Sequence, residues 1–246
     1  MDKKPTLFTV LSPKLTDLYN LDGCIVVIID VFRATSTIAS ALYNGAERVI
    51  PVAQVDACIE IGKELNAITA GERDGKIIEG LLHGNSPLEY SREFIENKTL
   101  VLTTTNGTQM LHLALERGAD EIITGSFPNL NSVCAHLKLR RKNVILACSG
   151  WKNRFNMEDT LFAGAVIDNV KDFFEIHCDS SLMAQNLFKV QKKDLKTFAA
   201  LTTHWHRLAK YGLENDMLYC LSENVADVLP FYDKTKQCLY SKTSID

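Results

Sequence analysis

Between residues 24 and 170, short apolar runs alternate with stretches where apolar residues recur every three or four positions, the rhythm of strand followed by helix. The densest run is Ile25-Val26-Val27-Ile28-Ile29. Five β-branched residues in succession predict a strand buried on both faces, as in a parallel sheet, within the segment Cys24 to Asp30. Further strands are predicted over residues 7–11, 48–53, 67–70, 99–102, 121–124 and 144–147. Pro51 argues for an edge or bulge position for its strand. Ile38, Ala41 and Leu42 mark one face of a helix over 35–44, with Gly45 as its stop. Val55, Cys58, Ile61 and Leu65 share a second helical face, and Met110, Leu111, Ala114 and Leu115 a third. Pro87 suits the first position of another helix. Asn129 or Asn131 caps the helix that follows the 121–124 strand, and Glu158-Asp159 opens one that runs to Val170. Beyond Ser180 the chain reads as helical to Asn224, and 228–240 predicts a closing edge strand. The expected fold is one α/β domain, a layered sandwich on a largely parallel or mixed sheet, with a helical C-terminal segment (about 175–246) packed on it.

Composition narrows the function classes. The chain has 246 residues, a hydrophobic share of 46% and a formal net charge of −3. That balance, without a basic run, gives no electrostatic argument for nucleic acid. No apolar stretch approaches membrane-spanning length, and the N-terminus lacks a signal-peptide core. The 7 cysteines are odd in number and form no Cys-x-x-Cys pair, so reduced thiols in a cytoplasmic protein are expected. In the tail, Trp205, Tyr211, Leu213, Met217, Leu218 and Tyr219 offer more aromatic and methionine surface than one sheet face needs. Such residues are enriched in interface cores, so a homo-oligomer, a dimer, is expected.

Candidate chemistry gathers where strands end. Asp30 is followed by Arg33 and by Thr35-Ser36-Thr37; Glu72, Thr103 to Thr108, Ser126 and Ser149 follow other apolar runs. In open α/β sheets, ligands bind at the carboxyl ends of strands. Each cluster also has a plainer reading: Asp30 and Arg33 as an ion pair, Asn106 as a helix cap, Gly84-Asn85-Ser86-Pro87 as a turn, and Glu158-Asp159 as charges complementing a helix dipole. Repetition at successive strand ends favours a site. Hydroxyls, turn amides and a helix start at Thr104, Thr105, Asn106, Gly107 and Thr108 suit phosphate. Several carboxylates and few histidines suit Mg²⁺ rather than zinc. His204 and His206 read as helix-surface or interface residues. A Cys-x5-Arg pattern at Cys148 and Arg154 raises a cysteine-dependent phosphatase as an alternative, although the same pattern recurs mid-helix at Cys134 and Arg140.

These blocks, in this order, resemble the 2-phosphosulfolactate phosphatases, magnesium-dependent acid phosphatases first associated with coenzyme M biosynthesis. The resemblance runs from about Cys24 to Gly164. It rests on Ile29-Asp30-Val31-Phe32-Arg33-Ala34-Thr35-Ser36-Thr37, Ala70-Gly71-Glu72-Arg73, Glu79-Gly80, Gly84-Asn85-Ser86-Pro87, the Thr103 to Thr108 run, and Phe155 with Glu158-Asp159. It implies a three-layer α/β/α sandwich and hydrolysis of a small acidic phosphate monoester of the 2-phosphosulfolactate type. Asp30, Arg33, Glu72, Glu158 and Asp159 would be catalytic. Thr35, Asn85, Ser86, Thr104 to Thr108 and Ser126 would hold the substrate, and Asp30, Glu72, Glu79, Glu158 and Asp159 would supply metal ligands. An inactive phosphoester-binding protein is a second alternative, and either water or a carboxylate could attack phosphorus. The chain departs from the pattern at Leu81-Leu82, where Phe-Asp is common, at Ser149, and at Lys152 and Arg154 in a turn that is usually glycine-rich.

Overall fold

Alternate side chains of β2 (Ile25–Ile29) serve two different cores. Ile25, Val27 and Ile29 enter one cluster, while Val26 and Ile28 enter the other. This is why the strand is apolar at every position. The structure is a computed structural model that describes residues 3–73, 75–104 and 106–242. Its remaining strands are β1 (Leu7–Val10), β3 (Arg48–Val52), β4 (Ile68–Arg73), β5 (Lys76–Ile77), β6 (Thr99–Thr103), β7 (Glu121–Gly125), β8 (Val144–Cys148), β9 (Leu229–Asp233) and β10 (Cys238–Lys242). They form one 10-stranded sheet in the order β1-β8-β2-β7-β9-β10-β3-β6-β4-β5.

Helices cover both faces, as expected for an α/β sandwich. On one face, α7 (Asp179–Gln191) packs on β1, α6 (Met157–Val170) on β8 and β2, and α5 (Leu130–Arg140) on β7. The short tail helices α8 (Leu195–Ala199), α9 (Thr203–Ala209) and α10 (Glu214–Cys220) extend that core through Trp205, Leu208 and Met217. Helix α6 approaches α7 so closely that a Cβ at Gly164 would collide with the carbonyl of Ala184. On the other face lie α1 (Ala34–Tyr43) and α4 (Gly107–Glu116), while α2 (Val55–Leu65) and the single-turn α3 (Arg92–Ile95) cover the far strands.

Three expectations are corrected. Residues 228–240 do not add an edge strand; they form the β9–β10 hairpin in the middle of the sheet. β9 pairs antiparallel with β7, and β10 antiparallel with β3, joining two parallel groups. β3 is therefore internal despite Pro51. The pairing of Leu239 with Val49 sets Pro51 opposite Gln237, one residue before β10 begins, so the β10 ladder has already run out there. Nor does a helix start at Pro87. Leu88 and Glu89 close a single turn on Ser86, and α3 begins only after Ser91.

The hairpin also reverses the formal direction of β3, β6 and β4 relative to β2. Adjacent strands are rotated by about 20–25°, so the six steps from β2 to β4 accumulate roughly 120–150° of twist. That rotation brings the carboxyl ends of formally opposed strands round toward one another.

Candidate active site

Asp30, the residue after β2, lies in a small polar recess with Arg33, Glu72, Asn85 and Asn106. Trp151 and the tail residues His204, Arg207 and Leu208 line it as well. Backbone bonds shape the turn that presents Asp30. The Asp30 amide donates to Thr35 Oγ1 at 3.2 Å, and the Thr35 amide returns a bond to the Asp30 carbonyl at 3.0 Å. Ser36 Oγ donates to the Val31 carbonyl at 2.9 Å. Asp30 thus sits at the start of α1, and the start of α4 is equally near: a Cβ on Gly107 would lie 3.6 Å from Asp30 Oδ2. Two helix N-termini make this an environment for negative charge.

Burial is the main cause raising the Asp30 carboxyl to about 7; His204 opposes that rise, while Glu72 and Glu158 add to it. Asn85 is buried, and its side-chain Oδ1 makes no hydrogen bond. A hydroxyl stripe on α1 fixes the Asn85 segment, with Thr37 Oγ1 donating to the Asn85 carbonyl at 3.0 Å and Ser40 Oγ to that of Pro87 at 2.7 Å. Buried carboxylate and amide oxygens of this kind suit a hard cation. Among the described residues, however, no three His, Cys, Asp or Glu side chains converge as a metal-holding group. A cation here would take few protein ligands and complete its shell from water and phosphate, as Mg²⁺ commonly does.

Arg33 is 5% exposed, and its Nη1 lies 2.5 Å from Asp216 Oδ2 on α10. Ser86 Oγ donates to the other oxygen of Asp216 at 2.9 Å. Ser86 therefore stands behind Arg33 rather than on the recess wall. Glu72 Oε2 accepts the Gly75 amide at 2.8 Å. Gly75 has φ +85° and packs against Leu208 and Tyr211, closing the β4–β5 turn onto α9. A Cβ there would press on Tyr211 and Leu208 at 3.1 and 3.2 Å, and the positive φ favours glycine.

Glu158 and Asp159 do not line the recess. Glu158 is buried, with Oε1 2.5 Å from His204 Nδ1, and it reaches the site through that imidazole. Asp159 accepts the amides of Val31 at 2.9 Å and Gly150 at 3.1 Å, tying the ends of β2 and β8 together. Its carboxyl is raised well above the ordinary range by burial, with Glu158 and Asp30 adding to the effect.

Other sequence candidates are deployed elsewhere. Thr35, Thr104, Gly107 and Thr108 line an adjacent apolar cavity under the recess. Thr108 Oγ1 is turned back onto the Thr104 carbonyl at 3.2 Å. Of the Thr104 to Thr108 run, Asn106 alone among the described residues lines the recess, and Thr105 lies outside them. Ser126 is fully buried in a capping box with Asn129. Glu79 is exposed and away from the recess. Leu82, where a carboxylate is common, is 85% exposed and contributes nothing to the lining.

Cys148 is a core residue with a thiol pushed well above its ordinary value, chiefly by burial. Arg154 is exposed on a tight hairpin closed on Trp151. The pair does not form a cysteine-phosphatase loop, which needs a reactive thiolate facing its arginine. The tail also departs from its sequence pattern. His204 is buried in the site rather than on a helix surface, while His206 is exposed. Trp205 and Met217, part of the basis for expecting self-association, are absorbed into the core, and Leu213 and Leu218 pack against it. The 7 described cysteines are all free. Among the described residues, no helix is long and apolar enough to cross a membrane.

Residues 10–235 match the family model described as 2-phosphosulpholactate phosphatase. A protein of Thermotoga maritima named probable 2-phosphosulfolactate phosphatase is 40% identical over 204 residues, covering 83% of this chain and 87% of its own. One of the same name from Caldanaerobacter subterraneus is 36% identical over 209 residues, covering 83% and 86%. Another, from Clostridium perfringens, is 34% identical over 225 residues, covering 89% and 90%.

Proposed function

The chain belongs to the 2-phosphosulfolactate phosphatase family, and on that premise we propose that it is a cytoplasmic, Mg²⁺-dependent phosphatase of a small acidic phosphate monoester, 2-phospho-3-sulfolactate or a close analogue. The observation that carries this reading is Asp30, a buried carboxylate between the starts of α1 and α4, in one recess with Arg33 and with the unpartnered Asn85 oxygen. Asp30, Glu72 and Asn85 would hold the cation. When bound, Mg²⁺ supplies positive charge that neutralises phosphate oxygens.

The chain's own groups divide the remaining work. Arg33 offers a planar pair of donors to phosphate oxygens and stabilises charge that grows on them in the transition state. Its orientation is set by Asp216, which leaves the rest of the guanidinium for substrate. The α4 terminus at Asn106 and Gly107 adds backbone dipoles beside the same anion. Asp30 is positioned to attack phosphorus directly or to orient and deprotonate a water. His204, steadied by Glu158 and by the edge of Phe32, is positioned to donate a proton to the leaving oxygen.

Phosphate release from a panel of small esters tests the reading. Turnover of acidic monoesters in Mg²⁺ should disappear on chelation with EDTA and return on adding metal. Release that ignores EDTA, or no release from any ester, would overturn it.

A further inference from the structure

Asn85 reaches the recess from a turn, not from a strand end. The segment leaves the sheet at His83, which bridges to Ala70 of β4, so the ladder itself does not aim Asn85. The residue is 3% exposed, and its Oδ1 makes no hydrogen bond within the protein. Burying an amide oxygen without a donor is unfavourable. A turn free to adjust would rotate that oxygen toward water or a donor, and the bonds around Asn85 oppose such a rotation.

The two peptide groups that flank the Asn85 Cα are each gripped by a hydroxyl. On one side, Thr37 Oγ1 of α1 donates to the Asn85 carbonyl at 3.0 Å. On the other, Tyr90 Oη donates to the Gly84 carbonyl at 2.6 Å. Because peptide groups are planar, holding both limits φ and ψ at Asn85 and so sets the direction of its Cα–Cβ bond. Gly84 has little room to shift. Its amide donates to Glu89 Oε2 at 2.9 Å, and a Cβ there would lie 2.9 Å from Glu89 Oε1 and 3.0 Å from Ile77 Cγ1.

Tyr90 is the fixed member of this clamp. It is fully buried in the core cluster that contains Ile38, Leu42 and Ile95, with its ring 6.3 Å from that of Phe94. Its own carbonyl accepts Asn44 Nδ2, at the end of α1, at 2.7 Å. With ring and backbone both held, the hydroxyl ties the turn to the core. Phenylalanine would fill the same core space without making that tie.

We infer that Tyr90 is a positioning residue for the metal site: through the Gly84 carbonyl it holds Asn85 Oδ1 in the recess with Asp30, as a preformed ligand for a divalent cation. This inference rests on the Mg²⁺-dependent reading and deepens it. A small hard cation demands near-ideal ligand geometry. Loss of the hydroxyl is therefore felt as weaker metal binding rather than as altered chemistry once metal is bound.

Mn²⁺, which takes the same octahedral oxygen ligands as Mg²⁺, reports binding to the whole protein by electron paramagnetic resonance without turnover. Tyr90→Phe is expected to weaken Mn²⁺ binding by about tenfold or more, the scale for losing a group that orients a metal ligand, and Asn85→Ala by at least as much. Ser40→Ala is the comparison. It removes a hydroxyl from the Pro87 carbonyl in the same loop, on a peptide that does not flank Asn85. Its affinity should stay within about threefold of wild type, well under the tenfold scale. In ester hydrolysis, Tyr90→Phe should raise the Mg²⁺ concentration for half-maximal rate by a similar factor, with kcat at saturating metal close to wild type. Thr37→Val frees the other peptide and carries the test if Tyr90→Phe does not fold. Unchanged affinity in Tyr90→Phe or Asn85→Ala, an equal loss in Ser40→Ala, or no Mn²⁺ binding by wild type overturns the assignment. Affinity lost in Tyr90→Phe and Asn85→Ala alongside no ester turnover keeps the metal site and rejects the phosphatase reading; EDTA-sensitive turnover with unchanged affinity in both variants does the reverse.

Discussion

Removing the Asp216 carboxylate is the sharpest test of how the tail serves the site. Arg33 has a side-chain exposure of 5% and Asp216 of 10%, at an N–O distance of 2.5 Å. Deleting one partner of so buried a pair leaves a desolvated charge, which costs on the order of 3–5 kcal/mol. Ser86 loses its acceptor in the same step, adding about 1 kcal/mol. For a chain of this size each kcal/mol moves Tm by roughly 2–4 °C, so Asp216→Ala should melt on the order of 8–24 °C lower. Activity should fall as well, because Arg33 loses the contact that aims it. kcat/KM is expected to drop by roughly 10²-fold or more, with kcat falling alongside a rise in KM. Asp216→Glu should recover part of both losses. A double-mutant cycle of Asp216→Ala with Arg33→Ala, read by thermal melting and by phosphate release, separates the pair from its surroundings. If Asp216→Ala melts within about 2 °C of wild type with unchanged kinetics, the pair neither stabilises the fold nor positions Arg33.

Two further predictions address other parts of the molecule. Glu121 is buried beside His136 and Arg140; burial alone would raise its carboxyl, but the hydrogen bonds from those partners outweigh it and lower the value from 4.5 to about 2. Its contribution, at most about 3 kcal/mol, is therefore complete above the unfolded value near 4.3 and is lost as pH falls toward 2. Glu121→Gln should lower the urea midpoint clearly at about pH 6 and much less at about pH 3; an equal penalty at both would refute the linkage. Cys148→Ala should retain phosphatase activity within a few-fold, at a stability cost of about 1–2 kcal/mol for the lost sulfur packing. Loss of turnover in a folded Cys148→Ala protein would restore a thiol mechanism.

The local pattern was enough to locate the central strand, because a run apolar at every position has one economical home, a strand buried on both faces, and Ile25 to Ile29 is buried throughout. It was enough, too, to mark Asp30, Arg33 and Glu72, since polar residues that follow a buried strand must emerge where strands end, and all three line the recess; Asn85, in a turn, was marked only by the family resemblance and lines it as well. Family membership was legible for the same reason, in motifs made of near neighbours. What the pattern left open depended on partners distant along the chain. Ser126 and Thr108 carry the same hydroxyls as a phosphate cradle, and only the fold turns them to capping and backbone bonds. His204, Arg207 and Asp216 lie on short helices whose residues look alike whether they face water or substrate. Their roles were decided when the β9–β10 hairpin entered the sheet's centre and the strands coiled, bringing the tail over a recess begun more than 170 residues earlier. Hydrophobic periodicity records which side of an element is buried, whereas the neighbour it is buried against is settled by sheet order and twist.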